Sequence, residues 1–215
     1  MLVLHYTGMR SCATALDRLC DPVAKVSAHY LIDENGAVHA LVPEDRRAWH
    51  AGAAFWRGAR DVNGHSIGIE LVNPGHEFGY RPFPEDQMKA LIGLCADILA
   101  RHPIAPRNVV GHSDVAPSRK RDPGEKFDWP RLADRGIGLW PGSAAPLALP
   151  EGEAGAGEIL ALLGAYGYDV ADGGAAITAF QRHFRPTRVD GIADADTAGR
   201  LSALLRLADQ GPTLS

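Results

Sequence analysis

Cysteine is scarce in this 215-residue chain: there are three, Cys12, Cys20 and Cys95, and no two of them form a C-x-x-C pair. That excludes a disulfide framework and a thiolate zinc site. Cys95 continues a helical apolar stripe and is expected in a core. Long apolar runs are also missing, with no 18-residue stretch suited to crossing a membrane as a helix. Neither sign of charge dominates, since 22 Lys and Arg stand against 26 Asp and Glu, a formal net charge of −4. A nucleic-acid groove or a polybasic membrane anchor would need a basic excess. The densest basic run, Arg119-Lys120-Arg121, falls instead between two candidate metal ligands. Several catalytic signatures are absent. H-E-x-x-H does not occur. Gly111-His112-Ser113-Asp114-Val115 lacks the last glycine of a nucleophile elbow, and Gly136-Ile137-Gly138 lacks the third glycine and preceding strand of a dinucleotide fingerprint. No charged leader or cleavage site precedes Leu2-Val3-Leu4, so the chain as written is expected in the cytoplasm, and in the periplasm if a segment precedes Met1.

Apolar residues make up 46% of the chain, enough for one medium domain and one small one. The first 135 or so residues read as α/β. Leu2 and Leu4 alternate with Val3 and His5 at a strand period, and Ala13–Leu19 is helix-like. Val26–Ile32 and Ala37–Val42 are strand-like around Asp33-Glu34-Asn35-Gly36, whose Asn-Gly pair favours a hairpin. Ser66–Val72 reads as a strand, and Asn108–Gly111 as a short one. Glu85–Arg101 is the clearest helix, with Met88, Leu91, Ile92, Cys95, Ile98 and Leu99 on one face and Pro103 ending it. Strands and helices alternating in this way predict a sheet covered by helices. Residues 141–156 are rich in Pro, Gly and Ala, which is linker composition. A compact helical region follows.

Two stretches carry the chemistry, Leu2–Thr7 and Gly111–Gly124. They offer two imidazoles, His5 and His112, and a carboxylate, Asp122. That is enough for a catalytic zinc with one position left for water. Taken singly, each has a plainer reading: a structural histidine twice over, and a turn carboxylate before Pro123-Gly124. Pro117 makes the His112–Asp122 segment a loop rather than one helix face. In the strand around Glu70, Ile67, Ile69 and Leu71 share one face, and Gly68 and Glu70 share the other. Glu70 is then either a solvent-facing glutamate or a general base in a groove whose floor is open at Gly68.

With these residues in view, the first part of the chain resembles the zinc-dependent N-acetylmuramoyl-L-alanine amidases of the type 2 amidase family, which is related to phage lysozyme-amidases and to peptidoglycan recognition proteins. The matching segments are Leu2–Thr7, Val26–Ile32, Arg47-Ala48-Trp49-His50-Ala51-Gly52, Asn63 with Ser66–Glu70, and Gly111–Gly124 with Phe127-Asp128-Trp129. They run in order along nearly the whole domain. The resemblance implies a mixed central β-sheet flanked by helices. It implies one Zn2+ ion held by His5, His112 and Asp122, Glu70 as the catalytic glutamate, Lys120 as the active-site lysine, and Tyr6, Trp49 and Asn63 at the substrate. His29 and His50 belong to the motifs without being metal ligands. Members often carry Arg two residues before the match to Asn63, where this chain has Asp61.

Residues from about 157 to 208 resemble the small all-α three-helix peptidoglycan-binding module, through Leu162–Tyr168, Ala176–Pro186 and Val189–Thr197. Phe180 and Phe184, four apart, are expected in its core. The implied organisation is a zinc amidase domain over 1–140, a flexible linker over 141–156 and a wall-binding domain over 157–208. The implied reaction is hydrolysis of the amide between the lactyl group of N-acetylmuramic acid and L-alanine, in peptidoglycan or muropeptides. No nucleic-acid partner is expected, and a monomer is. Two other readings stay open: a non-catalytic peptidoglycan receptor, and an endopeptidase acting on the same polymer.

Overall fold

A computed structural model describes residues 1–150 and 152–209. In chain order the strands are β1 (Leu2–Tyr6), β2 (Tyr30–Ile32), β3 (Val38–Ala40), β4 (Ile67–Leu71) and β5 (Val109–Gly111). The helices are α1 (Cys12–Cys20), α2 (Gly75–Phe78), α3 (Glu85–Arg101), α4 (His112–Val115), α5 (Trp129–Ala133), α6 (Glu153–Tyr166), α7 (Gly173–Phe184) and α8 (Ala195–Asp209). The five strands form one sheet in the order β3-β2-β4-β1-β5. β1, β4, β5 and β2 run parallel, and β3 pairs antiparallel with β2, so the sheet is mixed, as expected. The edge hairpin turns through Asp33–Gly36, with Gly36 at φ 85°.

Leu2, Val3, Leu4 and His5 are all buried, so β1 is covered on both faces. On one face Leu2, Leu4, Ile67, Ile69 and Leu71 meet Met88, Leu91, Cys95 and Ile98 of α3. α3 opens with Glu85 and Asp86 and ends with Arg101, charges that suit its dipole. The Gln87 amide donates to the carbonyls of Ile32 and Val72 at 3.0 Å each, fixing the helix to two strand ends.

The strand expected over 26–32 is shorter, Tyr30–Ile32. Upstream of it the backbone turns to another partner: the Ser27 N–H donates to Trp49 O. The segment from His112 begins with one helical turn, α4, before it becomes the expected loop.

The helical unit of α6, α7 and α8 has Ile159, Leu163, Ala176, Phe180, Phe184, Leu201 and Leu204 in its core. That core does not stop at the unit's edge. Val3, Trp56, Val62, Val110 and Val115 belong to the same buried cluster. The Trp56 ring lies edge-on to Tyr166 and Tyr168, and the Arg57 N–H donates to Gly167 O at 2.9 Å. The flexible-tether expectation is therefore corrected: the unit packs on the second face of the sheet. Among the described residues no helix is long and apolar enough to cross a membrane.

Candidate active site

Parallel register sets His5 of β1 directly beside Glu70 of β4. His112 opens α4, straight after β5, the other neighbour of β1. Three elements thus deliver side chains to the carboxyl end of the sheet, where strands of this type leave a crevice. The loop from α4 returns Asp122, held by the Ser113 N–H donating to Asp122 O at 2.9 Å. The residues expected to share a metal do converge. Nδ1 of His5 is 2.9 Å from Nδ1 of His112, and Oδ2 of Asp122 is 3.1 and 3.0 Å from those two nitrogens. All three residues are buried.

Hydrogen bonding behind the cluster decides what it can hold. The Ser66 hydroxyl donates to Val62 O at 2.6 Å, so its oxygen accepts Nε2–H of His50 at 3.2 Å. Nδ1 of His50 is then bare and accepts Nε2–H of His5 at 3.0 Å. Nε2–H of His112 donates to Ala51 O at 3.0 Å. Both inward Nδ1 atoms are left as lone pairs facing a carboxylate. Three acceptors meet without a proton of their own, and a cation between them satisfies all three. Donors about 2.1 Å from a tetrahedral zinc lie ~3.4 Å apart, a few tenths of an ångström wider than this triangle. Burial, and next the proximity of His112, lower His5 to about 4, so its ring is neutral at pH 7. Burial would raise Asp122, and only positive charge at the imidazole positions, where a cation between the three donors would sit, holds it below the ordinary carboxylate range.

Glu70 stands beside this cluster with Oε2 buried and without a hydrogen-bond partner. Burial, reinforced by the Asp122 carboxylate and opposed by Lys120, pushes it up to about 8. Such a carboxyl can take and return a proton near neutral pH. The open floor expected at Gly68 is corrected: the His50 ring fills it, packed so tightly that a Cβ on residue 68 would overlap the ring.

The cluster lies at the base of a groove of about 640 Å³, walled by Tyr6, Trp49, Glu70, His76, Arg119 and Lys120 among others. Trp49 is 55% exposed. Asn63 departs from its expected place at the substrate. It is buried under the 50–51 loop, where its Oδ1 accepts the N–H groups of His50 and Ala51. It shapes the loop that carries His50 and does not face the groove. Asp61 binds Arg47 at 2.7 Å, and that guanidinium lies 4.7 Å over the Trp49 ring. An arginine therefore stands near Trp49 although position 61 is acidic. His29 bridges Arg46 O and the Gly68 N–H and is structural. The linkage of His50 to His5 was not foreseen; its sequence trace is Ser66 and Gly68, one bonding the ring and the other making room for it.

A buried two-imidazole, one-carboxylate cluster beside an unpartnered carboxyl, at the end of a parallel sheet, is the equipment of a hydrolase. The chain belongs to the N-acetylmuramoyl-L-alanine amidase family, whose model matches residues 1–125. It is 43% identical over 231 residues to N-acetylmuramoyl-L-alanine amidase AmiD of Escherichia coli K12, covering 95% of this chain and 82% of that protein. The structure of E. coli AmiD in complex with the substrate anhydro-N-acetylmuramic acid-L-Ala-D-gamma-Glu-L-Lys is similar at TM-score 0.85 and 41% identity, over 96% of this chain and 88% of that one. AmpDh3 of Pseudomonas aeruginosa, in complex with anhydromuramic pentapeptide, gives TM-score 0.80 and 35% identity over 96% and 91%.

Proposed function

We propose that this amidase cleaves the bond between the lactyl carbonyl of N-acetylmuramic acid and the amine of L-alanine, in muropeptides and peptidoglycan, with one Zn2+ held by His5, His112 and Asp122. The observation that carries the metal is the triangle of bare Nδ1, Nδ1 and Oδ2 atoms within 3.1 Å of one another. When bound, the ion supplies Lewis-acid polarisation and a water acidified towards neutrality.

The chain's own groups do the rest. Glu70 is the base that takes the proton of the attacking water and returns it to the departing amine. Lys120, on the groove wall, offers a fixed cation to the oxyanion that develops on the scissile carbonyl. Trp49 and Tyr6 form groove wall against the substrate. The helical unit is a peptidoglycan-binding module that presents the groove to wall polymer. The experiment is mass analysis of products from a soluble anhydromuropeptide. Release of an intact peptide headed by L-Ala is expected, lost on chelation and restored by Zn2+. Cleavage within the peptide, or turnover that ignores chelators, overturns the assignment.

A further inference from the structure

One wall of the groove is braced from outside the family-matched region. The Tyr6 hydroxyl lies 2.8 Å from Nδ1 of His76, and Nε2 of His76 lies 3.1 Å from Oε2 of Glu125. Nε of Arg182, on α7, stands 3.8 Å from that same oxygen. Arg182 is 9% exposed, and its Nε has no hydrogen-bond partner, so its guanidinium is held there by charge. The rings are fixed as well. His76 stacks on Tyr80 at 4.3 Å, and Gly75, at φ 66°, lets the backbone close onto Tyr6, where a Cβ would strike the ring.

The direction of each hydrogen bond follows from the end of the chain. An ionised carboxylate only accepts, so Nε2 of His76 carries the proton. In the neutral ring Nδ1 is then bare and accepts the Tyr6 O–H. The Tyr6 oxygen also meets the His76 backbone N–H, and its remaining lone pair is left for the groove. Tyr6 is thereby committed to accept, and what it meets there has to be an N–H or O–H.

We propose that Arg182 is a positioning residue for the substrate groove, acting through Glu125 and His76 to make Tyr6 a hydrogen-bond acceptor for an amide N–H or sugar hydroxyl of the substrate. The inference rests on the amidase reading for the identity of that substrate. It gives the helical unit a part in small-substrate recognition, separate from any hold on polymer. Without Arg182, the half-buried Glu125 turns to solvent, His76 loses its fixed tautomer, and Tyr6 becomes free to donate.

The test uses the full-length, zinc-loaded chain and a soluble anhydromuropeptide, so that attachment to polymer plays no role. Arg182→Gln is expected to raise KM about 3- to 10-fold with kcat within about twofold, the size of one misdirected hydrogen bond, and Arg182→Lys to recover most of the loss. In the Tyr6→Phe background Arg182→Gln should add nothing. An unchanged KM, or the same rise in both backgrounds, overturns the proposal. Should Arg182→Gln fail to fold, Glu125→Ala breaks the chain from the catalytic side and carries the same expectation. Imidazole nitrogen NMR of His76 reads the tautomer without turnover: a single Nε2–H form in the parent, mixed in Arg182→Gln. An inactive parent enzyme would sink the amidase reading alone, and the nitrogen spectrum would still decide the brace, since a tautomer unaffected by Arg182→Gln counts against it.

Discussion

Nδ1 of His50 accepts the proton on Nε2 of His5 at 3.0 Å, and this one contact decides which nitrogen of His5 is available to a metal. His50 ligates nothing. Burial, then the neighbouring His5 and His29, hold it well below the ordinary histidine value, so it is neutral and can accept. Replacing it with Phe keeps a ring of similar size and leaves Nε2–H of His5 buried without a partner. His50→Phe is expected to weaken zinc 10- to 100-fold, the usual loss when the hydrogen-bond partner behind a ligand is removed. Competition against a chelator of known affinity measures it. Undiminished affinity would mean that His5 finds its tautomer without help.

Gly68 makes His50 possible. The imidazole lies against its Cα, and a methyl group there would enter the ring. Neither group can retreat, because β4 is paired on both sides and Ser66 and His5 hold the ring. Gly68→Ala is expected to destabilise the fold by about 1–3 kcal/mol and to weaken zinc along with it. Urea denaturation and the same chelator competition check both. A stable variant with full affinity would show that the ring can move aside.

The carboxyl of Glu70 gives the metal-free protein a pH signature. Its folded value, about 8, lies above the ordinary 4.5. Between these values the folded state keeps a proton that the unfolded state has released, so stability is full below pH 4.5 and is lost as pH rises to about 8. Glu70→Gln should flatten this slope and make the metal-free protein more stable than the parent at pH 8. Denaturation midpoints across that range read it directly. In the zinc-loaded protein the same variant should retain its metal and lose at least about 100-fold in kcat, the scale of general acid–base catalysis. Near-normal turnover with metal bound removes Glu70 from the reaction.

Most of the catalytic half was legible in the sequence. The 3.6-residue stripe of Glu85–Arg101 gave its limits, since Pro84 and His102 bound the helix where the periodicity stops. Asn35-Gly36 marked the hairpin, although the chain turns over Asp33–Gly36 and of the pair only Gly36 takes a positive φ. The convergence of His5, His112 and Asp122 was legible from family motifs, not from spacing, as sequence separations of 107 and 117 say nothing about distance. What escaped depends on contacts between distant elements. The motif match put Asn63 at the substrate, yet a side-chain amide can face a groove or pin a loop, and only the fold shows it bonding two backbone N–H groups. The 141–156 stretch has the composition of a flexible spacer. Composition could not reveal that Trp56 and Tyr168 would bury each other across the boundary.

That boundary supports a last prediction. Asp114, two residues from His112, is fully buried, and its carboxylate accepts Tyr168 O–H at 2.6 Å, Nδ1 of His183 at 2.7 Å and the Gly111 N–H at 2.7 Å. The His183 ring is sandwiched between Trp129 and Phe184, 3.7 Å from each. Two of the three bonds to this buried charge come from the helical unit. A tethered module would unfold on its own, giving two transitions. A shared core unfolds once. The full chain should therefore show a single thermal transition by calorimetry, and His183→Ala should lower its stability by about 2–4 kcal/mol, because it leaves Asp114 short of a partner and opens a slot beside Trp129. A chain ending at residue 141 would bare Trp56, Val110 and Val115 and should be poorly soluble. Two separate transitions, with His183→Ala shifting only one of them, would return the helical unit to the role of a passenger on a spacer.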